Sequence, residues 1–500
     1  MSPSGQPTPP IAIAGDPATV TGHLAATRVE ITPTQIDALL ATGATVSTVD
    51  GEIVEASRDW WPLAMIWALD GEVAARAAAI VRPADATQVA AVLRVCDEAR
   101  IPVTAAGGRS GVCGASVPVH GGVLLDLTAL DGIVEVDLDS MLVRVRPGTF
   151  GTWFEETLRT EHGVTAGHWP QSIDLSTVGG WIACRGAGQY STRYGKIEDI
   201  VTGLEVALAD GRIIRTGGAP RAAVGPDLTQ LFVGSEGTLG IVTEVTLRLH
   251  PAPATEQRAA YSFATFADGL EVCRRIMRRG ARPAVLRHYD EIEGDRSYRT
   301  GDRQVLLVMD EGDPAIVEAT MRIVEEEARA CGGETLDERD VEQWMGHRND
   351  VSALEALITR GYVVDTMEIS APWGACADIY RAATSAIRAV EGTMVASAHQ
   401  SHSYPDGACL YFTFAGNPGA ERREAYYRAA WDAGQRAVLA HGGALSHHHG
   451  VGLNRSRFIA EALGAAHGVL VDVKRALDPN GILNPGKLGL PDPWGGPAWP

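Results

Sequence analysis

Three glycine-rich turns between residues 105 and 242 constrain this chain more than any other feature. The first lies in Pro102–Gly114, where Gly107, Gly108, Gly111 and Gly114 surround Arg109 and Ser110, directly after a helix-like pattern at Thr87–Arg100. Glycines so dense let consecutive backbone N–H groups converge on one point without a Cβ in the way, which makes a nest for a phosphate or pyrophosphate. A tight surface turn is the plainer alternative. The spacing is neither G-x-G-x-x-G nor a P-loop, because no Lys-Ser or Lys-Thr follows the glycines. The second turn runs from Gly167 to Gly188, and the third opens at Gly234 and passes straight into a strand pattern ending at Leu249. Three such turns are hard to explain as unrelated loops, and together they imply one large ligand laid across several strand ends.

At 500 residues the chain exceeds one ordinary core, so two or three domains are expected. With 45% apolar and 21% charged residues it reads as a soluble globular protein. Acidic residues outnumber basic ones by 62 to 43, a formal charge of −19. That argues against nucleic acid or an anionic membrane as partner and leaves room for a local basic pocket that takes a small anion. The seven cysteines, Cys96, Cys113, Cys184, Cys273, Cys331, Cys376 and Cys409, are scattered with no C-x-x-C pair. They read as reduced thiols of a cytoplasmic protein, without a disulfide frame or a zinc site. Met1–Pro10 is rich in Pro and Ser, and no basic residue precedes Arg28, so disorder is expected there, with neither a signal nor a transit peptide. No run of about 18 apolar residues is present, so no transmembrane helix is expected.

Along the chain, Trp60, Trp61, Leu63, Ile66 and Trp67 form an apolar patch that reads as a helix docked on a core. A β-α-β pattern follows from Ala79 into the first glycine turn, then strands at Val123–Leu127, Gly132–Asp137 and Leu142–Arg146, and a helix at Gly151–His162. Gly203–Ala209 and Arg212–Arg215 enclose Asp210-Gly211, a hairpin signal. Beyond Pro251–Pro253, strands at Arg258–Phe263, Ala284–His288, Gln304–Met309 and Leu410–Phe414 alternate with helices at Ala267–Arg279, Pro314–Cys331 and Gly374–Val390. This order suits an α+β domain, a sheet with helices on one face. A helix at Glu421–His441, the loop Gly442–Gly450 and a further helix to Leu477 end the pattern.

The motifs Gly-Gly-Arg-Ser-Gly-Val-Cys-Gly, Ser-Thr-Val-Gly-Gly-Trp-Ile, Tyr-Gly-Lys-Ile-Glu-Asp-Ile-Val, Gly-Ser-Glu-Gly-Thr-Leu-Gly-Ile-Val-Thr, Ser-Ala-Pro-Trp, Gly-Ala-Cys-Leu-Tyr-Phe and Ser-His-His-His-Gly-Val-Gly occur in this order between Val81 and Leu488. In that order the chain resembles FAD flavoproteins of the vanillyl-alcohol oxidase and p-cresol methylhydroxylase type, and within them the alkyldihydroxyacetone-phosphate synthase branch. The resemblance implies an α+β fold: a bipartite FAD-binding domain of two α+β subdomains, an α+β cap with an antiparallel sheet, and a helical C-terminal segment returning to the FAD site. The corresponding divisions are an N-terminal segment 1–75, partly disordered and then helical, an FAD-binding domain 76–252, a cap 253–430, a C-terminal segment 431–490 and a tail 491–500. FAD would be held noncovalently. Its pyrophosphate would lie on Ala105, Ala106, Gly107, Gly108, Arg109, Ser110 and Gly111. Gln171, Ser172, Ser176, Thr177, Gly180 and Cys184 would approach the pyrophosphate and flavin, and Glu236, Gly237, Gly240, Ile241 and Val242 would complete the cradle through backbone contacts.

His447, His448 and His449 cannot share one helix face, so the i, i+4 metal geometry is not offered and no metal is expected. They read either as a solvated loop or as imidazoles that move protons in a cavity. In Cys409-Leu-Tyr-Phe-Thr-Phe, alternation puts Tyr411 on the face opposite Leu410, Phe412 and Phe414. The resemblance makes Tyr411 the catalytic tyrosine, with the three histidines beside it, and places Arg287 at the substrate; His168, and Arg348 and Arg360 as neighbours of position 354, are the further substrate-binding candidates. For Arg287 a surface salt bridge to Asp290 is the plainer alternative. The implied reaction exchanges an acyl for an alkyl group on dihydroxyacetone phosphate through a flavin N5 adduct, as in ether-lipid synthesis. The alternative is oxidation of an alcohol or 2-hydroxy acid, in the manner of D-lactate and glycolate dehydrogenases. Several positions depart from the synthase pattern. The substrate-phosphate arginine falls on Leu354, Gln171 replaces an aspartate, and Leu453 and Asn454 replace a lysine and a leucine. The Leu-Asn-Pro-Gly-Lys tail is nearer the dehydrogenases, and no peroxisomal signal is expected at Pro-Ala-Trp-Pro. The expected partner is a small anionic or lipid-like substrate, with a homodimer as the oligomer in view. A lipid-like substrate would put the cytoplasmic protein at a membrane surface.

Overall fold

The computed structural model describes residues 9–350 and 353–496. Most of the disorder expected for Met1–Pro10 therefore lies outside the described residues. A first sheet opens with β1 (Thr45–Ser47), so the segment set apart as N-terminal supplies an edge strand to the domain that follows. Helix α1 (Pro62–Leu69) starts on a proline, whose fixed φ suits a first helical turn, and Pro62 to Ala68 are all buried. A helix apolar all round belongs inside a core, as the tryptophan patch implied. β2 (Ala79–Arg82) leads to α2 (Ala86–Ala99), which Asp85 caps by accepting the Gln88 N–H and which buries Val89, Val92, Leu93 and Cys96. β3 (Val103–Ala106) and β4 (Val123–Asp126) complete the order β1-β2-β4-β3, parallel except for β1. The first glycine turn thus leaves the carboxyl end of a parallel strand, the end at which open α/β sheets place ligands.

The second sheet holds β5 (Ile133–Asp137) and β6 (Leu142–Val145). After them come α3 (Gly151–His162), α4 (Val178–Cys184) and the single turn α5 (Ser191–Tyr194). β7 (Val201–Ala207), β8 (Ile213–Gly217) and β9 (Ile241–Arg248) then give the antiparallel order β8-β7-β9-β6-β5. In β9, Ile241, Thr243, Val245 and Leu247 are buried; Phe154, Leu158, Trp181 and Ile182 of α3 and α4 pack with Val245 and Leu247, while Ile241 joins the core of the first sheet. The Asp210-Gly211 hairpin is present, closed by the Leu208 N–H on Arg212 O at 2.8 Å, with Gly211 at φ +79°. α4 lies inside the second glycine stretch, where periodicity alone gives no element.

The cap is built on β10 (Thr255–Phe263), α6 (Phe266–Arg278), β11 (Val285–Tyr289), α7 (Glu291–Tyr298), β12 (Gln304–Gly312), α8 (Pro314–Ala330) and β13 (Glu334–Leu336). It continues through β14 (Val363–Pro372), α9 (Trp373–Arg388), β15 (Thr393–Ser403), β16 (Gly407–Gly416) and α10 (Arg423–Ala440). Its seven strands run antiparallel in the order β13-β10-β12-β11-β15-β16-β14. Val272 and Ile276 of α6 pack with Leu286, Leu306 and Val308, while Ile379, Ile387 and Trp431 of α9 and α10 pack with Met367, Ile369, Phe412 and Phe414. Most helices cover one face as expected, but the helix Arg339–His347 packs Val341 and Trp344 on the opposite face, against Val285, Val305, Leu307 and Met309. That opposite face also carries a polar row, because the register sets His399 opposite Tyr411 and Tyr411 opposite Glu368. α10 runs unbroken across residue 430, so the division expected there falls inside a helix.

The single C-terminal helix expected is two, α11 (Ser456–Leu463) and α12 (Ala466–Leu477), broken at Gly464 with φ +54°. The tail then returns to the first sheet. The Val103 N–H donates to Ile482 O and the Asn484 N–H to Val103 O, both at 2.8 Å. No helix among the described residues is long and apolar enough to cross a membrane.

Candidate active site

The two first glycine turns meet. A Cβ on Gly107 would stand 2.3 Å from Thr177 Oγ1, and one on Gly108 would stand 1.8 Å from Leu175 O, so only glycine permits this approach. Arg109 adopts φ +55°, and the N–H groups of residues 107 to 111 find no acceptor among the described residues. Thr177 Oγ1, at the start of α4, is buried and likewise unpartnered. Consecutive unanswered donors beside an orphaned hydroxyl fit a diphosphate, so the residues present suit FAD. Cys184, at the end of α4, lies against Gly450, and Gly237 lies against Ala105. Gly240 is a packing glycine, since its Cβ would meet Val206 at 2.5 Å, and Ile241 turns its side chain into the core. Gln171 is exposed, and Ser172 lends its carbonyl to the N–H groups of Leu175 and Ser176.

The histidine run faces the polar row of the cap sheet, held there by two buried carboxylates. Glu368 accepts from the N–H groups of His447, His448 (3.2 Å) and His449 (2.9 Å), from Ser446 Oγ (2.8 Å) and from Arg455 Nη1 (2.8 Å). Glu236 accepts the N–H of Val451 at 2.6 Å and of Gly452 at 2.9 Å. Lys196 Nζ donates to His447 O at 2.6 Å. Burial alone would raise the Glu368 pKa, but the Arg455 charge and the N–H groups of the histidine loop outweigh it and hold the carboxyl far below its ordinary range. The loop is therefore fixed by charge-assisted bonds and is not a solvated turn.

Tyr411 donates to Thr366 Oγ1 at 3.0 Å, and its ring lies between His399, stacked at 4.9 Å, and His448 at 6.1 Å. Burial raises its pKa above the ordinary tyrosine value, so the phenol keeps its proton. His399 Nδ1 meets Glu293 Oε2 at 2.7 Å and its Nε2 meets Arg287 Nη2. A guanidinium only donates, so Nε2 is the acceptor and Nδ1 carries the proton given to Glu293. Burial, and then Arg287, hold the His399 pKa near 4, so this ring is neutral at pH 7. Burial also lowers His447 and His448 well below the usual value and His449 to about 4. The imidazoles of the chamber are thus uncharged, with the Arg287 guanidinium beside His399 and with Arg455 and Lys196 bonded to the histidine loop.

One nitrogen from each of His402, His447 and His448 lies within 4.8 Å of the others. His447 has both nitrogens in hydrogen bonds, Nδ1 with His448 Nδ1 and Nε2 with the Tyr404 hydroxyl, each at 2.9 Å, and His402 Nδ1 meets Ser191 Oγ at 2.9 Å. His447 thus has no nitrogen to spare, while Nε2 of His402 and of His448 has no partner among the described residues.

The structure brings Tyr411, His447, His448, His449 and Arg287 together. Arg287 bonds His399 and Tyr289 and makes no pair with Asp290, which caps α7. Arg348 stacks over Tyr190 at 4.8 Å and shares Trp344 with Arg287, so it borders the same region. Two other residues expected at the substrate, His168 and Arg360, make no bond to this group among the described residues. His168 is fully buried against Trp181 with neither ring nitrogen partnered, and burial and Lys196 lower its pKa to about 3. Arg360 is exposed and makes no bond into the chamber among the described residues. Sequence reasoning missed Glu368, Arg455, Glu293, His399, His402, Tyr404, Ser191 and Lys196. Glu368 had a signal of its own, a carboxylate on a strand otherwise closed to water, which demands partners.

The molecule thus joins two glycine-turn sheets and an antiparallel cap sheet, with the unanswered amide run where the first two glycine turns meet. Residues 77–217 match the FAD binding domain and residues 252–488 the C-terminal domain of FAD-linked oxidases. The chain belongs to the FAD-linked oxidase family and is an FAD-dependent flavoenzyme. It is 33% identical over 431 residues to the FAD-linked oxidoreductase YgcU of Escherichia coli K12, covering 82% of this chain and 88% of the relative. An alkyldihydroxyacetonephosphate synthase of Caenorhabditis elegans is 28% identical over 72% of this chain and 66% of its own. The GlcD subunit of Bacillus subtilis glycolate oxidase is 28% identical over 83% and 89%. Among solved structures, an alkyldihydroxyacetonephosphate synthase superposes with TM-score 0.78 at 22% identity over 96% of this chain and 91% of that one. A p-cresol methylhydroxylase superposes with TM-score 0.75 at 19% identity over 93% and 99%.

Proposed function

We propose that this flavoenzyme exchanges an acyl for an alkyl group on a phosphorylated dihydroxyacetone, the reaction that the resemblance to the synthase branch implies, with FAD held noncovalently by the glycine cradle. One observation carries the reading: Tyr411 lies between His399 and His448 in a chamber of neutral imidazoles beside Arg287. Bound FAD supplies the electron-accepting ring against which the substrate carbon reacts. Ala105 to Gly111 and Thr177 hold its diphosphate, and Arg287, with Arg348 at the rim, counters the substrate's negative charge. The imidazoles remove and return a proton at that carbon, and Tyr411 donates to the substrate oxygen. Burial keeps the Cys184 thiol protonated, pushed up to about 12, which favours the noncovalent cofactor.

A specific observation favours a second reading, oxidation of a 2-hydroxy acid. Leu354 stands where the synthase branch has its phosphate arginine, and it packs partly buried against the apolar core. The experiment incubates purified holoenzyme with palmitoyl-dihydroxyacetone phosphate and labelled hexadecanol, and separately mixes it anaerobically with glycolate and D-lactate. Label in an ether product is the expected result. Flavin bleaching by a hydroxy acid with no ether product would reverse the order of the two readings.

A further inference from the structure

We propose that His448, His447, Tyr404, Ser191 and His402 form a single-file proton wire, through which a proton taken up at His448 Nε2 is released at His402 Nε2 with every residue left neutral. The proposal rests on the reading of the chamber as a place of proton exchange and adds where the proton goes.

The geometry is four consecutive hydrogen bonds. His448 Nδ1 meets His447 Nδ1 at 2.9 Å, and His447 Nε2 meets the Tyr404 hydroxyl at 2.9 Å. That hydroxyl meets Ser191 Oγ at 2.8 Å, and Ser191 Oγ meets His402 Nδ1 at 2.9 Å. Each link holds one proton, and each hydroxyl and neutral imidazole has one to give. If Tyr404 donates to His447, Ser191 must donate to Tyr404 and His402 to Ser191. If Tyr404 donates to Ser191, every other link reverses with it. Only two arrangements satisfy all four bonds. In the first, His402 and His447 carry their protons on Nδ1 and His448 on Nε2. In the second, His402 and His447 carry them on Nε2 and His448 on Nδ1.

Passing from the second arrangement to the first moves one proton. An N–H bond forms at His448 Nε2 as the substrate C–H bond breaks, and the electron pair stays on the substrate carbon. The Nδ1 proton of His448 moves to His447 Nδ1, that of His447 Nε2 to Tyr404, that of Tyr404 to Ser191 and that of Ser191 to His402 Nδ1. The Nε2 proton of His402 then departs. Neither terminal Nε2 has a partner among the described residues, and neither is among the shielded polar atoms. The two end rings stand 5.3 Å apart, so the wire bends back on itself and both ends serve one chamber. A proton can leave one position of a bound substrate or co-substrate and another be delivered nearby without an imidazolium forming. Burial, which disfavours charge on all three rings, is then an asset.

Tyr404 and Ser191 act through the histidines, so their test needs readouts that a merely structural role would not move. Resting holoenzyme labelled with 15N-histidine should show His402, His447 and His448 neutral at pH 7.5, in one of the two tautomer patterns above. With palmitoyl-dihydroxyacetone phosphate and hexadecanol, Tyr404→Phe and Ser191→Ala should each lower kcat about 10²-fold with KM within about twofold. Both should turn a curved proton inventory linear and leave the flavin spectrum unchanged. An imidazolium at any of the three rings, a mixed tautomer pattern, or stoichiometric bound metal would overturn the wire. So would unaltered kcat and inventory in both variants. If no ether product forms but the tautomer pattern is present, the substrate reading fails and the wire stands.

Discussion

Two runs of backbone amides in this molecule differ in what answers them. Residues 447 to 452 point six N–H groups inward, and the chain itself supplies every acceptor: Glu368 for three, Ser446 Oγ for the Gly450 N–H, and Glu236 for the last two. Residues 107 to 111 present a comparable run, and no group among the described residues answers it. The first nest is closed by internal carboxylates and is architecture that positions imidazoles. The second has no internal acceptor among the described residues, which is what the proposed diphosphate site requires. Glycine density alone does not separate them, because both loops are glycine-flanked; the carboxylates do.

The largest effect is expected where the closed nest is broken. Glu368→Gln leaves Arg455, fully buried, with an uncompensated charge, a change worth about 3–5 kcal/mol of folding stability. Guanidinium melts of the flavin-loaded protein measure it. Adding Arg455→Met should recover part of the loss, because the pair then leaves together. A melt of Glu368→Gln within about 1 kcal/mol of the parent would mean that Glu368 does not organise the loop.

The open nest should respond in cofactor affinity. A Cβ on Gly108 meets a backbone carbonyl that cannot swing away, so Gly108→Ala should weaken FAD binding by about 10²-fold, near 3 kcal/mol of misfit. Gly111 is the contrast in the same loop. Its Cβ would sit 3.7 Å from Asp59 Oδ2, ordinary contact, and Gly111→Ala should hold FAD within about threefold of the parent. Titration of apoprotein by flavin fluorescence separates the two. Equal losses would show that the loop's packing, and not its approach to Leu175, sets the affinity.

The open nest was legible in the sequence because it is local: Gly107, Gly108 and Gly111 sit within five residues, and backbone chemistry follows from glycine spacing. The chamber was legible only in part. Alternation correctly set Tyr411 against Leu410, Phe412 and Phe414, and the histidine run announced itself. The strands that complete it, β14 and β15, set Thr366, Glu368 and His399 on the polar face of the sheet. In β15 the inward positions include Ala396 and Ala398, too small to mark an apolar alternation, and in β14 the inward row Val363, Met367 and Ile369 is interrupted by Asp365, which accepts from Tyr427 and Trp431. Partners such as Glu293 and His399, 106 positions apart, meet only through the sheet register. His168 shows the converse limit, since a histidine beside a glycine turn reads as a contact until burial shows that it faces Trp181.

That burial sharpens the comparison a third time, between imidazoles with and without partners. His399 is neutral and doubly bonded; His168 is neutral and bonded by neither nitrogen. The unfolded chain protonates His168 below about pH 6.5, while the folded chain does so only near 3. The unfolded state therefore binds more protons in this window, and acid favours it. Between pH 6.5 and 4.5 this one ring should cost the parent about 2 kcal/mol, at 1.36 kcal/mol per pH unit once the unfolded ring is charged. His168→Leu removes that proton from the unfolded chain and leaves no shielded nitrogen in the folded one. Denaturant melts at the two pH values should therefore show the variant gaining about 2 kcal/mol on the parent as pH falls. A parallel pH dependence of the two proteins would mean that His168 takes up its proton as readily folded as unfolded, and that the ring is reached by water or a donor after all.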